Sequence, residues 1–209
     1  MIPTVDDQPP PTPAPFEAEQ RFLIHNVSWA QHEALLAAVE DHPGLKVTCL
    51  KGELELPSPR SRRHEPASRF AARLLDVFAE ERGIDLHAHG GTTFKKKAAE
   101  RGGEPDECFN LRAIPDDDKK TPPDIALEVV LTSGWIDKLE VYRGLRVAEV
   151  WFWKKGRFWV YHLGKSGYRR AARSRFLRDL DFSVLARFVE RADQPQALRE
   201  YRALLRGAR

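Results

Sequence analysis

Cysteine is nearly absent from this 209-residue chain, which has only Cys49 and Cys108 and no paired cysteine motif. Two isolated cysteines cannot form a metal site on their own, and free thiols in a reducing cytosol are the simplest interpretation. No stretch approaches the roughly 20 apolar residues that a membrane-spanning helix needs. The N-terminus also lacks the basic segment and apolar core of a signal peptide. We therefore expect a soluble, cytoplasmic protein without a membrane partner.

The chain also has little net charge and no visible internal repeat. A formal charge of +3 is too small for overall electrostatics to identify a nucleic-acid-binding protein, so the distribution of charge matters more. The length suits one domain with a sizeable core. Residues 1 to about 16 hold six of the fifteen prolines. We expect a disordered tail over 1–17, a main domain over 18–192 and a C-terminal helix over 193–209.

The apolar pattern predicts a mixed α/β order in which helices flank a sheet. A first helix should begin after Ser28, which has capping-box spacing to Gln31, and should end near His42-Pro43-Gly44. The other expected helices cover about 62–82 with Gly83 as C-cap, 136–143 closed by Gly144, 182–190 and 196–205. The expected strands cover about 21–27, 47–50, 53–56, 86–89, 92–95, 107–111, 125–131, 149–153 and 157–162.

The most informative segment is an apolar run that contains one carboxylate. Residues 124–131 read Asp-Ile-Ala-Leu-Glu-Val-Val-Leu and follow two prolines, which is typical of a strand buried on both faces. An ionised Glu128 there costs several kcal/mol unless a metal ion or a fixed cation compensates it. Strand alternation places Glu128 on the same face as Ala126, whose small side chain leaves room for a hydrated ion.

A second carboxylate, Asp106, lies upstream in a similar setting, and Lys138 opens the helix that follows the Glu128 strand. If the two strands are adjacent, both carboxylates meet at one edge of the sheet. Mg²⁺ prefers oxygen ligands, and one or two carboxylates plus a substrate phosphate suffice to bind it. Lys138 would orient or deprotonate the attacking water, or stabilise charge in the transition state. These residues predict a Mg²⁺- or Mn²⁺-dependent phosphodiesterase, with the backbone carbonyl of Val129 as a further ligand.

The same residues also fit a rival interpretation. Glu128 and Lys138 can form a structural ion pair, and the chain can be a catalytically inactive nucleic-acid-binding or assembly module with the same fold. An inactive core would gain stability by replacing a buried glutamate with valine or leucine. The intact set of Asp106, Glu128 and Lys138 therefore favours an enzyme.

Several short motifs follow one another in an order and spacing that are more specific than any one of them. They are Gly-Glu-Leu-Glu-Leu-Pro-Ser-Pro at 52–59 with His64-Glu65, Thr-Thr-Phe at 92–94, Glu-Pro-Asp-Glu-Cys-Phe at 104–109, Pro-Asp-Ile-Ala-Leu-Glu-Val at 123–129, Ile-Asp-Lys at 136–138 with Tyr142, and Glu-Val-Trp-Phe at 149–152. Over about residues 20–190 the chain resembles the PD-(D/E)XK, restriction-endonuclease-like superfamily. More narrowly, it resembles an endonuclease branch that is abundant in cyanobacteria and was long classed as a domain of unknown function.

This resemblance implies an α/β restriction-endonuclease-like fold, with a mixed central sheet flanked by helices and with C-terminal helices. It implies Asp106 as the first metal-binding aspartate, Glu128 as the second acidic ligand and Lys138 as the active-site lysine. Val130 stands where the simplest superfamily pattern has lysine, two residues past Glu128. In this branch the lysine comes from the following helix instead. The resemblance also implies a homodimer, and cleavage that leaves a 5′-phosphate, with DNA as the expected substrate.

Further candidate residues flank this set. By resemblance, Glu65 near the start of the long helix provides another acidic group toward the metal, although a solvated charge at the helix N-terminus fits equally. The basic run Lys95, Lys96 and Lys97 lies just before the Asp106 strand and is placed for phosphate contacts. A solvated basic loop is its alternative interpretation.

Tyr142 lies one helical turn after Lys138 and either orients the lysine, contacts substrate or packs in the core. Asp137 is expected as a helix N-cap or first-turn acid. Aromatic residues also concentrate in the predicted hairpin at 149–162, where they would either stack on bases or pack in the core or a dimer interface. These residues are Trp151, Phe152, Trp153, Phe158 and Trp159.

Overall fold

The computed structural model describes residues 21–39, 45–57, 64–115, 121–130 and 136–207. The helices are α1 (Trp29–Ala38), α2 (His64–Arg82), α3 (Lys138–Leu145), α4 (Phe182–Val189) and α5 (Gln194–Gly207). The strands are β1 (Arg21–Ile24), β2 (Thr48–Leu50), β3 (Glu53–Pro57), β4 (His87–Ala88), β5 (Phe94–Lys96), β6 (Arg101–Gly103), β7 (Glu107–Asn110), β8 (Ile125–Val129), β9 (Glu149–Lys154), β10 (Arg157–Gly164) and β11 (Gly167–Ala171). A 3-10 turn covers Lys97–Ala99. The expected tail over 1–17 and the expected first-helix end near 42–44 lie outside the described residues.

The described strands form two sheets. The small sheet is five-stranded, antiparallel, and ordered β1-β3-β2-β6-β5. The large sheet is six-stranded and ordered β11-β10-β9-β8-β7-β4. It is mixed, because β8 and β9 run parallel while its other pairs are antiparallel. The large sheet therefore corresponds to the predicted mixed central sheet.

Strand alternation divides the packing of the large sheet between two layers. Ile125, Leu127 and Val129 of β8 pack in the main core with α2, α4 and α5. Ala126 faces the other way, into a second apolar cluster with Val141 and other residues of α3. Helices therefore cover both faces, and α3 connects β8 to its parallel neighbour β9, as a parallel pair requires.

Helix ends follow local rules at most positions. Ser28 and Gln31 form the expected capping box at α1, and Gly83 has the positive φ of 63° that a C-cap glycine supplies. At α3 the expected end was wrong, because the helix continues past Gly144 to Leu145 and its C-cap is Arg146, whose φ is 65°. A Cβ at Gly144 would collide with the side chain of Arg101, so close packing accounts for that glycine.

Two strands were not predicted. The β6 strand reads Arg-Gly-Gly and β11 reads Gly-Tyr-Arg-Arg-Ala, and neither has the β-branched residues that usually mark a strand. Sheet pairing overrides local propensity at both places. Among the described helices, none combines the length and the apolar character that crossing a membrane requires.

Candidate active site

Asp106 lies directly before β7, where the chain is already paired to β8. Its backbone N–H donates to the carbonyl of Leu127 at 3.1 Å, and its carboxylate Oδ2 accepts from the N–H of Val129 at 2.7 Å. The side chain is buried, with 6% of the residue exposed. The pairing of β7 with β8 thus holds the Asp106 carboxylate beside Val129, the residue that follows Glu128. The sequence predicts this proximity if the two acidic strands are adjacent.

Lys46 is a site residue that the sequence did not indicate. Its Nζ donates to the carbonyl of Pro105 at 2.6 Å and lies 3.4 Å from Asp106 Oδ1 and 3.1 Å from Glu104 Oε1. Gly91 permits this arrangement, because a Cβ there would collide with Glu104. Lys46 lies 59 residues before Pro105, so only the fold brings them together.

Glu128 projects from β8 toward α3 and is 7% exposed. Lys138 Nζ lies 3.1 Å from its Oε1, and the hydroxyl of Tyr142 donates a short hydrogen bond to the same oxygen. The lysine side chain is 22% exposed against 9% for the glutamate side chain, so the ammonium lies on the solvent side of the carboxylate. An ammonium and a phenol together compensate the buried charge.

Tyr142 is fully buried. Burial raises its pKa well above the ordinary tyrosine value, and the charge of Glu128, the hydrogen bond to it and the charge of Asp106 raise it further. The phenol therefore stays protonated and acts as a donor to Glu128. The sequence left three roles open for Tyr142. In the structure its hydroxyl contacts Glu128, the same carboxylate that Lys138 contacts.

The start of α3 is fixed at two points. Asp137 is the N-cap, and its Oδ1 accepts from the backbone N–H groups of Leu139 at 2.9 Å and Glu140 at 3.3 Å. One residue earlier, Ile136 N–H donates to Oε2 of the buried Glu55 at 3.0 Å. Glu55 was not singled out from the sequence. These contacts place Lys138 on the first turn, where it reaches Glu128.

The family-model comparison now adds an independent observation. Residues 29–191 match a family model described as "Uma2: Putative restriction endonuclease". The chain belongs to this family. The match confirms the predicted resemblance to the restriction-endonuclease-like superfamily and gives the chain a nuclease-type function. In this superfamily a divalent metal is the usual cofactor.

Two further comparisons add little to the Uma2 assignment. A solved structure titled "Crystal structure of a putative nuclease belonging to DUF820 from Anabaena variabilis ATCC 29413" is similar to this chain at 12% identity with a TM-score of 0.47. The alignment covers 73% of this chain and 90% of that one, and at this TM-score nothing about the site is carried over from it. None of the curated proteins matches the chain.

The oxygen groups of this Uma2-family site fit a magnesium-type ion. The described residues contain no group of three or more His, Cys, Asp and Glu side chains placed to hold a metal. Magnesium does not need one, since it keeps several waters and takes one or two carboxylates. Within the described part of the chain, the bonds to Glu128 fall on Oε1, which leaves Oε2 for a ligand. Cys108 is buried, burial raises the pKa of its thiol to about 12, and its Sγ donates to the carbonyl of Gly90 at 3.3 Å.

The remaining predicted residues have different positions. The side chain of Glu65 lies outside the described residues, although α2 begins at His64. Lys95 and Lys96 lie on edge strand β5 and Lys97 opens the 3-10 turn, all three exposed. Lys95 is 3.7 Å from Glu33 of α1. Because β5 alternates, Lys95 and Lys96 face opposite sides of the small sheet.

Proposed function

We propose that this chain is a metal-dependent endonuclease that hydrolyses phosphodiester bonds in DNA. The observation that supports this most directly is that Asp106, Glu128, Lys138 and Tyr142 come together at the neighbouring interior strands β7 and β8 of the large sheet. A purely structural ion pair would need only Glu128 and Lys138. The second buried carboxylate beside them is what a metal site requires.

Asp106 and Glu128 would hold Mg²⁺ or Mn²⁺, with the backbone carbonyl of Val129 as a further ligand. When bound, such an ion neutralises charge that develops on a phosphoryl group and lowers the pKa of bound water. Lys138 Nζ lies 3.1 Å from Glu128 Oε1 on the solvent side, from which a phosphate would approach. It is thereby placed to orient the attacking water or to stabilise the transition-state charge. Tyr142 fixes the Glu128 carboxylate.

The test is cleavage of supercoiled plasmid and single-stranded DNA with Mg²⁺ or Mn²⁺. We expect Glu128→Gln and Lys138→Met each to reduce the rate by at least about a hundredfold, since each removes a group that acts on the transition state. Glu140→Gln is the matched control, because Glu140 lies on the same helix and pairs with Arg143 instead. It should cleave at the wild-type rate.

Two outcomes would contradict the proposal. Cleavage that survives Glu128→Gln would come from a contaminating nuclease and remove support for the site. A protein that binds DNA in a gel shift but cleaves none with either metal would be an inactive binding module. The Lys138–Glu128 pair, already satisfied at 3.1 Å, would then be structural.

The proposal has three further parts. The homodimer and Glu65 rest on the family resemblance, and the phosphate contacts rest on the exposed position of the lysines. A homodimer is expected, and sedimentation equilibrium measures it. Glu65 is proposed as an additional acidic group, tested by Glu65→Gln. Exposed Lys96 and Lys97 are proposed to contact the phosphate backbone together with Lys95, and replacing each by alanine should lower the salt dependence of DNA binding.

A further inference from the structure

The large sheet continues beyond Glu128 as a row of aromatic side chains on the same face. Glu128 of β8 is paired with Phe152 of β9, and Phe152 is paired with Trp159 of β10. Tyr161, two residues further along β10, is paired with Arg170 of β11. Paired residues project to the same side of a sheet, so these side chains share the face of Glu128. We call Phe152, Trp159, Tyr161 and Arg170 the aromatic face.

The neighbouring aromatic residues of the same hairpin belong to a different environment. Trp151 and Trp153 are 0% and 7% exposed and pack with Phe158 in the main core. Phe152 and Trp159 alternate with them and are only partly buried. The alternation therefore separates the main-core aromatics from Phe152, Trp159 and Tyr161, which are partly exposed and of which Phe152 also packs against the second apolar cluster.

Cationic groups accompany the aromatic face. The Arg170 guanidinium carbon lies 4.0 Å from the centre of the Trp159 ring, a close cation–π contact. Arg157 and Lys154 are paired at the turn end of the β9–β10 hairpin, and by alternation they share the face of Trp159 and Phe152. Positive charge beside partly exposed aromatic rings suits a nucleic-acid strand, because its phosphates are negative and its bases are flat and can stack.

We infer that the aromatic face binds unpaired bases of a nucleic-acid strand whose phosphate lies at Glu128. This inference rests on the proposed function and narrows its substrate to single-stranded DNA or DNA with an unpaired stretch. Trp159 lies two strands from Glu128, about 10 Å at the usual strand spacing, which is within reach of a nucleotide that flanks the cleaved bond. Bases inside a duplex stack on each other, whereas unpaired bases present a π-face to aromatic and arginine side chains.

The experiment measures binding in EDTA, where cleavage does not occur. The probes are a fluorescent oligothymidylate, an abasic strand of equal length and a duplex. We expect Trp159→Leu to weaken oligothymidylate binding about tenfold, the usual effect of losing one stacked base, and to leave abasic-strand binding unchanged. Arg170→Ala should weaken oligothymidylate binding as well. Arg169→Ala is the matched control, because Arg169 is equally exposed but projects from the opposite face of β11.

Arg170 is exposed, so its replacement tests the face even if Trp159→Leu fails to fold. Equal losses for abasic and base-bearing strands, equal effects of Arg169→Ala and Arg170→Ala, or tighter duplex binding would each overturn the inference. So would a dimer that dissociates in Trp159→Leu, because the face would then be a subunit interface. If the protein cleaves DNA but neither Trp159→Leu nor Arg170→Ala changes oligothymidylate binding, base binding by the aromatic face is refuted and the endonuclease proposal is not. Base-dependent binding without cleavage would refute the endonuclease proposal alone.

Discussion

Glu128 is a charge held inside a β-sheet, and its partners explain how the fold tolerates it. Desolvating a carboxylate costs several kcal/mol, and Lys138 and Tyr142 offset that cost with an ion pair and a short hydrogen bond. Removing either partner leaves the charge under-compensated. Apolar residues in place of Glu128, Lys138 and Tyr142 would stabilise the fold without this desolvation cost. A functional reason for the buried charge is therefore favoured.

The hydroxyl of Tyr142 should therefore contribute more to stability than that of a tyrosine bonded to a neutral group. We expect Tyr142→Phe to lower the free energy of unfolding by about 1.5–3 kcal/mol, since its acceptor is a carboxylate. Tyr168→Phe is the control, because the hydroxyl of Tyr168 donates to the neutral carbonyl of Val147 at 2.5 Å. It should cost about 0.5–1.5 kcal/mol. Urea unfolding in EDTA, followed by fluorescence, measures both, and equal losses would show that Glu128 is neutral or otherwise compensated.

Metal binding at Asp106 should be visible without any substrate. A ligand that binds only the folded state stabilises it by mass action, by about 2.7 kcal/mol at a hundredfold excess over the dissociation constant. We expect Mg²⁺ to raise the melting temperature of the wild type and to have little effect on Asp106→Asn. Asp137→Asn, which keeps an N-cap and whose side chain accepts from the backbone N–H groups of Leu139 and Glu140, should respond like the wild type. An equal response in all three proteins would place the ion elsewhere.

Among single residues, the sequence indicated those that stand out from their immediate neighbours in the chain. It did not indicate those whose contacts are far away in the sequence. Glu128 is conspicuous because its own strand is apolar, and Lys138 because it opens the next helix. Lys46 and Glu55 carry no such local signal. Their partners lie 59 and 81 residues away, and only tertiary pairing brings them together.

Helix caps are the clearest element-scale feature. The N-cap of α4 is Asp181, whose Oδ1 accepts from the N–H groups of Ser183 at 2.7 Å and Val184 at 3.1 Å. The hydrogen bond from Val184, together with that from Ser183, lowers the pKa of Asp181. A lowered carboxyl pKa gives stability that is present above the unfolded value and is lost as the pH falls through the folded value.

Asp181→Asn separates the charge of this cap from its geometry, because asparagine caps equally well but does not titrate. At pH 7 we expect the variant to be less stable by about 0.3–1 kcal/mol, the usual interaction of an exposed charge with a helix end. Chemical unfolding at several pH values should show the difference shrinking below the ordinary carboxyl pKa of about 3.9 and vanishing in stronger acid. A difference independent of pH would assign the effect to geometry alone.

Elements with strong local patterns were predicted and those made by pairing were not. The capping box at Ser28 and the glycine at position 83 mark helix ends by themselves. The β6 and β11 strands are glycine- and arginine-rich and become strands because a neighbour pairs with them.

On the scale of the whole molecule, α5 closes the main core beyond the family-matched residues 29–191. Ala197, Tyr201 and Leu205 are buried there, at 0%, 1% and 6% exposure. Arg202 and Arg206 both reach the buried Glu81 of α2, and the hydrogen bond from Arg206 is the main cause of its lowered pKa. The helix that the sequence placed apart from the main domain thus packs as one of its layers.

A chain that ends before Gln194 should therefore be much less stable. Losing the burial of Tyr201 and Leu205 costs about 1.5–3 kcal/mol each, a large share of the roughly 5–15 kcal/mol that stabilises a typical domain. We expect a melting temperature lower by at least about 10 °C, or no cooperative transition, in a calorimetric scan. Leu204→Ser, on the exposed side of α5, is the matched control and should change little. A truncated chain that melts like the full one would mean that α5 contributes no stability.

The parallel pairing of β8 and β9 has a consequence for the time course of folding. Parallel neighbours cannot be joined by a tight hairpin, so the segment between them must cross over the sheet, and here that segment is α3. The β8–β9 pairing therefore closes only across the whole α3 crossover, and such non-local pairing is among the slower events of folding. Glu128 and Lys138 are only ten residues apart, so their ion pair needs α3 on β8 and does not wait for β9 to join the sheet.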